Sequence, residues 1–299
     1  MHDAPIQFFN RYTSSIETEQ IYGESWLRWI YGTPTGRLAL WAVARRAWFS
    51  HWYGWRMDQP ASRAKIAPFL ARYGITPDDF TKRPEEFTSF NDFFYRTLKH
   101  GARPVDSAED SVVFPADGRH LGFQNPAQIA GVFVKGQSFD LPALLGDAAL
   151  AERYQGGALV FSRLCPVDYH RFHFPLAGVP SEPRLIDGLL ESVNPIALRR
   201  RLSILWENKR VLTRLETERF GTVLLLEIGA TNVGGIVQTY RPSAAVEKGA
   251  EKGYFRFGGS STITFFEPGR VRLAEDLVEN SRHCGELYAR VGDRMAVAL

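Results

Sequence analysis

Short apolar stretches separated by turn residues run through the second half of this chain, and they constrain its fold more than any other feature. Clear examples are Ala158–Phe161, Val223–Ile228, Gly235–Tyr240 and Ser261–Phe266. Short apolar runs bounded by Gly, Pro and Asp are typical of β-strands. From about residue 112 onward, the pattern therefore predicts a β-rich unit.

The first hundred residues show a different pattern, which indicates helices. Ala61–Tyr73 predicts a short helix, and Asn91–Lys99 predicts another that begins near Ser89, a residue type that often caps helices. We therefore expect an α+β protein, with a helical region over residues 1–100 on a β-rich catalytic core over residues 101–299.

Six of the seven tryptophans lie between Trp26 and Trp55, interleaved with arginines. Thr35 is a plausible N-cap for a helix in this segment, and Gly54 is a plausible end of that helix. On a helical wheel four rings share one face, with Arg46 roughly opposite: Trp41, Trp48, Trp52 and Trp55. Tryptophan and arginine favour the headgroup level of a bilayer, so one interpretation is a membrane-interfacial region. One alternative is that this face packs on the protein core. Another is that one face of the helix contacts the membrane while a different face packs on the core.

Composition and local signals exclude several classes of function. A net charge of +3 is too slight to indicate a nucleic-acid partner, and no Rossmann or P-loop fingerprint is present. The two cysteines, Cys165 and Cys284, fit reduced thiols in a cytosolic setting better than a disulfide framework. The start of the chain lacks the pattern of a secretory signal. The longest apolar run near it, Leu38–Ala44, is far below the ~18–20 residues that cross a bilayer.

Two segments carry the residues of nucleophilic catalysis. Gly258–Thr262 (GGSST) places Ser260 after two glycines, and a hydroxyl attacks a Gly–Ser peptide bond with little steric hindrance. Asp168–His173 (DYHRFH) supplies two histidines and a carboxylate. A serine, a histidine and a carboxylate together make such an attack fast. We interpret the protein itself as the first target of the serine.

These two segments and four others resemble, in the same order, those of the phosphatidylserine decarboxylase family. The resemblance extends from about residue 90 to residue 292. The segments are Phe93–Lys99 (FFYRTLK) with Arg103-Pro104, Pro115–Gly118 (PADG), Lys135–Leu141 (KGQSFDL) with Leu144–Gly146, Leu164–Pro175 (LCPVDYHRFHFP), Gly229–Gly234 (GATNVG) and Lys248–Ile263 (KGAEKGYFRFGGSSTI). Many family members have Leu-Gly-Ser-Thr where this chain has Gly-Gly-Ser-Ser.

The resemblance implies a zymogen that cleaves itself. Ser260 would attack the carbonyl of Gly259, which gives chains of residues 1–259 and 260–299 that stay together as a heterodimer. Ser260 would become a covalent pyruvoyl group, which is the Schiff-base site and makes pyridoxal phosphate or a metal unnecessary. The implied reaction converts phosphatidylserine in a membrane to phosphatidylethanolamine. The expected location is the cytoplasmic face of the cell membrane, as a peripheral protein, and a higher homo-oligomer is left open.

The resemblance also implies a role for each polar side chain. His173 would take the proton from Ser260, Asp117 would orient His173, and His170 would donate a proton in the decarboxylation step. Each has an ordinary alternative: a turn serine, an Asp-Gly turn, or histidines that hold a strand end. An HxxH metal pair is a weaker alternative, because no cysteine or carboxylate cluster accompanies it.

Two other functions are left open by the residues alone. A serine hydrolase would use Asp117, His173 and Ser260 in this chain order, although the serine lacks a G-x-S-x-G elbow. A non-catalytic lipid-surface protein would use the tryptophan-rich segment and be indifferent to Ser260. Three lysines are candidates for a headgroup phosphate, but each is more often a surface residue: Lys135, Lys248 and Lys252.

Overall fold

The structure is a computed structural model of the 299-residue chain, and it describes residues 5–44, 46–125, 139–230, 235–258, 260–283 and 285–299. Within these residues ten α-helices and sixteen strands form a mixed α+β fold, which confirms the predicted fold class. Several residues named above lie outside the described residues: Gly259, Cys284, 135–138 and 231–234.

The strands are concentrated in the second half of the chain, as the apolar stretches predict. They are β1 (Gln7–Asn10), β2 (Ser15–Thr18), β3 (Ser111–Val113), β4 (Gly118–Phe123), β5 (Leu159–Leu164), β6 (Arg171–His173), β7 (Val179–Pro180), β8 (Arg184–Ile186), β9 (Arg210–Thr217), β10 (Gly221–Ile228), β11 (Ile236–Gln238), β12 (Glu251–Phe255), β13 (Ser260–Phe265), β14 (Val271–Leu273), β15 (Glu286–Ala289) and β16 (Arg294–Ala298).

A ten-stranded sheet is the centre of the fold, with the strand order β2-β1-β15-β4-β5-β13-β10-β9-β7 and β8 also paired to β9. Two three-stranded sheets accompany it, β11-β12-β6 and β14-β16-β3. On β13, Ile263 and Phe265 enter the larger apolar cluster, whereas Ser260, Thr262 and Thr264 alternate with them and point to the opposite face of the sheet. This alternation decides which side chains meet at the site described below.

The helices are short and lie mainly in the first hundred residues. They are α1 (Glu24–Gly32), α2 (Pro34–Ala39), α3 (Ala47–Asp58), α4 (Ile66–Tyr73), α5 (Phe90–Phe94), α6 (Leu141–Leu145), α7 (Ala148–Tyr154), α8 (Pro195–Leu198), α9 (Ile204–Glu207) and α10 (Glu275–Arg282). The predicted cap at Ser89 is confirmed, since its Oγ accepts a hydrogen bond from the N–H of Asp92 at 3.1 Å. That helix ends at Phe94, earlier than the predicted Lys99.

The helix predicted from Thr35 to Gly54 is wrong in its bounds. Thr33 caps α2 instead, because its Oγ1 accepts a hydrogen bond from the N–H of Gly36 at 3.0 Å. A π-helical turn at Leu40–Ala44 separates α2 from α3. Gly54 lies inside α3, which ends just before Gln59 because a residue that precedes proline favours an extended backbone.

The first residues of the chain belong to the central sheet rather than to the helical region. Strands β1 and β2 form a hairpin, and β1 pairs in parallel with β15, where Phe8 lies opposite Glu286. Each of these strands has only four residues, which is too short for an apolar pattern to show in the sequence. The N-terminal hairpin therefore extends the sheet on a strand from the far end of the chain.

An aromatic cluster joins the helical region to the segment just before Ser260. Phe257 packs in a cluster of buried phenylalanines, where its ring centroid is 4.9 Å from that of Phe94 and 5.2 Å from that of Phe90. The ring of Tyr53 from α3 stacks on Phe257 at 5.7 Å. This packing places α3 and α5 directly beside the predicted cleavage segment.

Candidate active site

Ser260 is the first residue of β13, the strand between β5 and β10 in the central sheet. Its side chain is fully buried, and within the described part of the chain its Oγ has no hydrogen-bond partner. Gly258, two residues earlier, has a φ of +142°, which glycine adopts far more readily than other residues. A buried hydroxyl without a partner costs about 1–3 kcal/mol, and the hydroxyls of Ser261 and Thr262 on the same strand share this property among the described residues.

The alternation of side chains along β13 separates Ser260 from Ser261. Residues directly opposite in an antiparallel pair point to the same face of the sheet. Ser260 lies opposite Leu164, which packs with Phe172 of β6. Ser261 lies opposite Arg163 and therefore points to the other face. Of these two serines, Ser260 is the one that faces the layer with the two histidines.

His170 precedes β6 and is fully buried against the ring of Phe94, with ring centroids 3.9 Å apart. Its Nδ1 lies 3.0 Å from the carbonyl oxygen of Asp168, which assigns the ring proton to Nδ1. Among the described residues its Nε2 has no hydrogen-bond partner. Burial lowers the pKa of His170 to about 3, against the smaller effect of the backbone groups of Asp168 and Gly258. The ring is therefore neutral, with an unshared electron pair at Nε2.

His173 lies in β6 opposite Glu251 of β12. Its Nδ1 is 2.9 Å from the carbonyl oxygen of Gly249, and its Nε2 is 3.3 Å from the hydroxyl of Tyr169. Burial lowers the pKa of His173, while the backbone of Gly249 and the charges of Glu251 and Asp117 oppose this effect. His173 is thus also a neutral imidazole, with both ring nitrogens close to polar groups.

Asp117 lies just before β4 and is almost fully buried. Its carboxylate accepts hydrogen bonds from Nε and Nη2 of Arg103 at 2.9 and 2.7 Å, and from the N–H of Val291 at 2.9 Å. In the described chain no hydrogen bond joins Asp117 to His173, although its charge acts on the pKa of His173. The structure therefore brings the two residues into one neighbourhood without the direct bond of a Ser-His-Asp set.

A cluster of buried charges lies on the face of the sheet to which Ser261 points. Arg163 donates hydrogen bonds to Glu19 and to Glu286, and its Nη1 lies 2.8 Å from the sulfur of Cys165. Arg119 pairs with Asp168, whose carboxylate also accepts from the N–H of Cys165 at 2.7 Å. Burial raises the pKa of the Cys165 thiol well above its usual range, so this cysteine is protonated. These pairs hold the segment from Arg163 to Asp168 that leads to His170.

A cavity of about 520 Å³ lies between the helical region and the cleavage segment. Trp26 and Ile30 of α1 and Tyr53 of α3 line one side, and Leu164 and Gly258 line the other. Most of the remaining lining is also apolar or aromatic, which suits the acyl or glycerol part of a lipid. The cavity therefore extends from the tryptophan-rich helices to Gly258, two residues before Ser260, and to Leu164, which lies opposite Ser260 in the sheet.

Six tryptophans lie on the protein surface near this cavity. Their side chains are exposed by 37% to 60%: Trp26, Trp29, Trp41, Trp48, Trp52 and Trp55. Arg46 lies over the ring of Trp41 and Arg56 over the ring of Trp52, at 5.6 and 5.3 Å. The alternative that these rings pack in the protein core is therefore wrong. No helix of the described residues is long and apolar enough to cross a membrane.

The lysines suggested for a headgroup phosphate are not free surface residues where the structure describes them. Lys252 is fully buried and donates to Glu227 at 2.7 Å. Lys248 donates to the carbonyl of Ala108 at 2.6 Å. Lys135 lies outside the described residues. In the described part of the chain no group of three or more His, Cys, Asp and Glu side chains is arranged to hold a metal ion.

Three residues of the site had no predicted role: Arg103, Tyr169 and Thr262. Arg103 and Tyr169 occur within matching segments of the sequence, but their contacts with Asp117 and His173 depend on the tertiary fold. Thr262 is two residues from Ser260. Because side chains alternate between the two faces along a strand, this spacing alone indicates that both residues point to the same face.

Comparisons with known proteins agree with these features. A family model described as phosphatidylserine decarboxylase matches residues 90–296. The phosphatidylserine decarboxylase proenzyme of Fusobacterium nucleatum is 44% identical over 294 residues, which cover 98% of each chain. Proteins with the same name from Desulfitobacterium hafniense and Chlamydia pneumoniae are similar to this chain as well. The first is 39% identical over 292 residues and 98% of each chain. The second is 43% identical over 289 residues, which cover 97% of this chain and 96% of the relative.

Proposed function

This chain belongs to the phosphatidylserine decarboxylase family, and from that premise we propose that it matures by self-cleavage at Gly259-Ser260 and then decarboxylates phosphatidylserine. It is a carboxy-lyase, and phosphatidylethanolamine is its product. The observation that carries the maturation step is the buried hydroxyl of Ser260, which has no partner among the described residues and points to the face of the sheet where Leu164 packs on Phe172 of β6.

The proposed maturation turns Ser260 into a covalent pyruvoyl group. Ser260 Oγ attacks the carbonyl carbon of Gly259, so that the amide becomes an ester. Elimination across the Cα–Cβ bond of residue 260 then releases residues 1–259 with a free carboxylate and leaves a dehydroalanine. Water replaces the nitrogen of that residue, which departs as ammonia. The residues around position 260 fit such a group, because the Ser260 hydroxyl is buried and has no partner among the described residues. The apolar cavity reaches Gly258, two residues earlier in the chain.

We assign the base of the cleavage step to His173, with Asp117 as the negative charge that favours its protonated form. The charge of Asp117 opposes the lowering of the His173 pKa by burial, which supports this pairing. Arg103 and the N–H of Val291 hold the carboxylate in place. Because Ser260 is a poor nucleophile at neutral pH, removal of its proton by a neutral imidazole is the step that this arrangement serves.

His170 is assigned to proton transfer during decarboxylation. When formed, the pyruvoyl group supplies a ketone that takes up the substrate amine and draws electrons as carbon dioxide leaves. His170 holds its own proton at Nδ1 through the carbonyl of Asp168, so its Nε2 is free to take up and return a proton. Its lowered pKa makes that return easy.

One observation favours a second assignment of the two histidines. The ring nitrogen without a partner among the described residues belongs to His170, and the backbone that affects its pKa includes Gly258 of the cleavage segment. In this assignment His170, rather than His173, takes the proton from Ser260. The two assignments predict opposite results for single variants.

The lipid substrate is proposed to enter from a membrane surface. The exposed tryptophans and their arginines form a surface suited to headgroup depth, and the cavity of about 520 Å³ leads from Trp26 to Gly258. This arrangement supports a peripheral membrane protein, and we propose the cytoplasmic face of the cell membrane as its location. The apolar lining of the cavity also keeps water from the substrate carboxylate, which weakens its solvation.

After cleavage the two chains are proposed to stay together as a heterodimer. Residues 260–299 supply β13, which lies between β5 and β10, and β15, which lies between β1 and β4. Glu286 of the short segment also pairs with Arg163 of the long one inside the protein. A segment of about 40 residues has little chance of folding alone, whereas these strands are part of the shared sheet.

The intact mass of the denatured protein tests the maturation. We expect two chains that separate after Gly259, with the short one carrying a keto group in place of the serine amine. Ser260→Ala should give one full-length chain, and Ser261→Ala, whose side chain faces the other way, should still be cleaved. Cleavage of Ser260→Ala would overturn the assignment. Release of labelled carbon dioxide from phosphatidylserine vesicles by the cleaved protein then tests the decarboxylation.

A further inference from the structure

A small internal cavity lies on the face of the central sheet to which Ser260 points. Its volume is about 10 Å³, and its polar lining residues are His173, Glu227, Lys252, Thr262 and Thr264. A cavity of this size holds about one water molecule, provided that the water finds two to four polar partners.

The polar side chains around this cavity have hydrogen-bonding capacity to spare. Thr262 is 4% exposed, and its Oγ1 has no partner among the described residues. Lys252 uses two of its three N–H donors, on Glu227 at 2.7 Å and on Gln238 at 2.9 Å. Among the described residues, Gln238 and Lys252 both donate to the same carboxylate oxygen of Glu227, Oε2. One water would satisfy the threonine hydroxyl and reach the lysine and the carboxylate.

The cavity is lined by a residue of the strand that begins at Ser260. Thr262 and Ser260 are two residues apart on one strand, so their side chains share a face and their Cα atoms are about 6.6 Å apart along it. His173 lines the same cavity. Ser260 and Thr262 are almost fully buried, so bulk solvent does not reach this part of the strand.

We propose that this cavity binds the water that converts residue 260 into its ketone. The inference rests on the proposed self-cleavage and adds the source of the water for its last step. After elimination, residue 260 is an enamine whose tautomer is an imine. The oxygen of the water adds to the imine carbon, the carbon–nitrogen bond breaks, and the nitrogen leaves as ammonia with the two protons of the water. Imine and water give ketone and ammonia, so no group is oxidised or reduced.

Thr262→Val tests the proposal, because valine keeps the shape of threonine and removes its hydroxyl. Samples are quenched with borohydride at intervals after synthesis and the short chain is sequenced from its N-terminus. An imine is reduced to alanine, which can be sequenced, whereas a ketone is reduced to a lactoyl group, which blocks sequencing. We expect Thr262→Val to be cleaved but to yield alanine for at least about ten times longer than the wild-type chain. Thr262→Ser, which restores the hydroxyl, should shorten that time.

Formation of the ketone in Thr262→Val at the wild-type rate would overturn the proposal. Failure of Thr262→Val to be cleaved would also overturn it, because the hydroxyl would then act before the hydrolysis. If the wild-type chain itself stayed intact, the proposed self-cleavage would fail first, so the two failures can be told apart.

The water site can also be tested without any cleavage. In the uncleaved Ser260→Ala background, Thr262→Val should lower the midpoint of thermal unfolding relative to the parent chain with Thr262, because the bound water loses a partner. If the cavity holds no water, removal of an unpartnered hydroxyl should raise that midpoint instead. A rise would overturn the proposal.

Discussion

The carboxylate of Asp117 is held by Arg103, which donates from Nε at 2.9 Å and from Nη2 at 2.7 Å to the same oxygen. The third partner is the N–H of Val291, which belongs to the segment that the proposed cleavage would separate as the short chain. Arg103 also pairs with Asp79 at 3.1 Å. One guanidinium thus connects the helical region, the aspartate of the proposed cleavage machinery and, through it, the C-terminal segment.

We expect Arg103→Gln to slow self-cleavage about tenfold or more, because Asp117 would lose the guanidinium that fixes its position. Arg103→Lys, which keeps the charge without the paired donors, should be cleaved at a rate between those of the wild-type chain and Arg103→Gln. The half-life of the full-length chain after synthesis measures the effect. Arg83, which is exposed and pairs locally with Glu86, is a matched control. Cleavage of Arg103→Gln at the rate of Arg83→Gln would show that the pair is only structural.

Single variants of the two histidines should separate their roles. We expect His173→Ala to stay full-length, because Ser260 would lose its base. His170→Ala should be cleaved and should then release carbon dioxide from phosphatidylserine about 100-fold more slowly or worse. Gel analysis and a decarboxylation assay on the same preparations measure both. An intact His170→Ala together with a cleaved His173→Ala would establish the second assignment.

Mild acid should destabilise the precursor, because burial lowers the pKa of His120 and of His170 to about 3. The unfolded chain takes up protons at these residues as the pH falls below about 6.5, while the folded chain does not. The stability that these two neutral histidines contribute is therefore complete above about pH 6.5 and is lost as the pH falls toward 3. Each histidine should lower the free energy of unfolding by up to about 1.4 kcal/mol per pH unit in this window.

Urea unfolding of the uncleaved Ser260→Ala chain between pH 7.5 and pH 5 measures this slope. A free energy of unfolding that does not fall over this interval would contradict the buried, neutral state of the two histidines.

Replacement of the four tryptophans at positions 41, 48, 52 and 55 by serine should weaken binding to anionic vesicles about tenfold or more, because their exposed rings would no longer enter the interface. Flotation with lipid vesicles measures this. Trp206→Phe is the matched control, since Trp206 packs against the core. Equal flotation of the fourfold tryptophan variant and of Trp206→Phe would refute the proposal that these tryptophans contact the membrane interface. Point variants are preferable to deletion of the N-terminal segment, because β1, β2 and Glu19 belong to the sheet and its buried charge cluster.

The sequence determined the class of fold, and its motifs identified the segment for which we propose self-cleavage. Apolar runs between turn residues predicted β5, β10, β11 and β13 because the pattern of a strand is local. Ser260, His170 and His173 were identified because their motifs are contiguous in the chain. The helix between Thr35 and Gly54 was wrongly bounded, since Thr33 and the π-helical turn depend on single hydrogen bonds that residue type does not reveal.

Only the tertiary structure decided which side chains meet. The pairing of Asp117 with Arg103, the position of Gly249 and Tyr169 around His173, and the cavity next to Thr262 join segments far apart in the chain. Such contacts arise from strand register and from the face that each residue presents, and a shift of one residue would reverse them. The residues of the site could therefore be named from the sequence, whereas their hydrogen-bond partners and their neutral, buried state follow from the way the sheets pack.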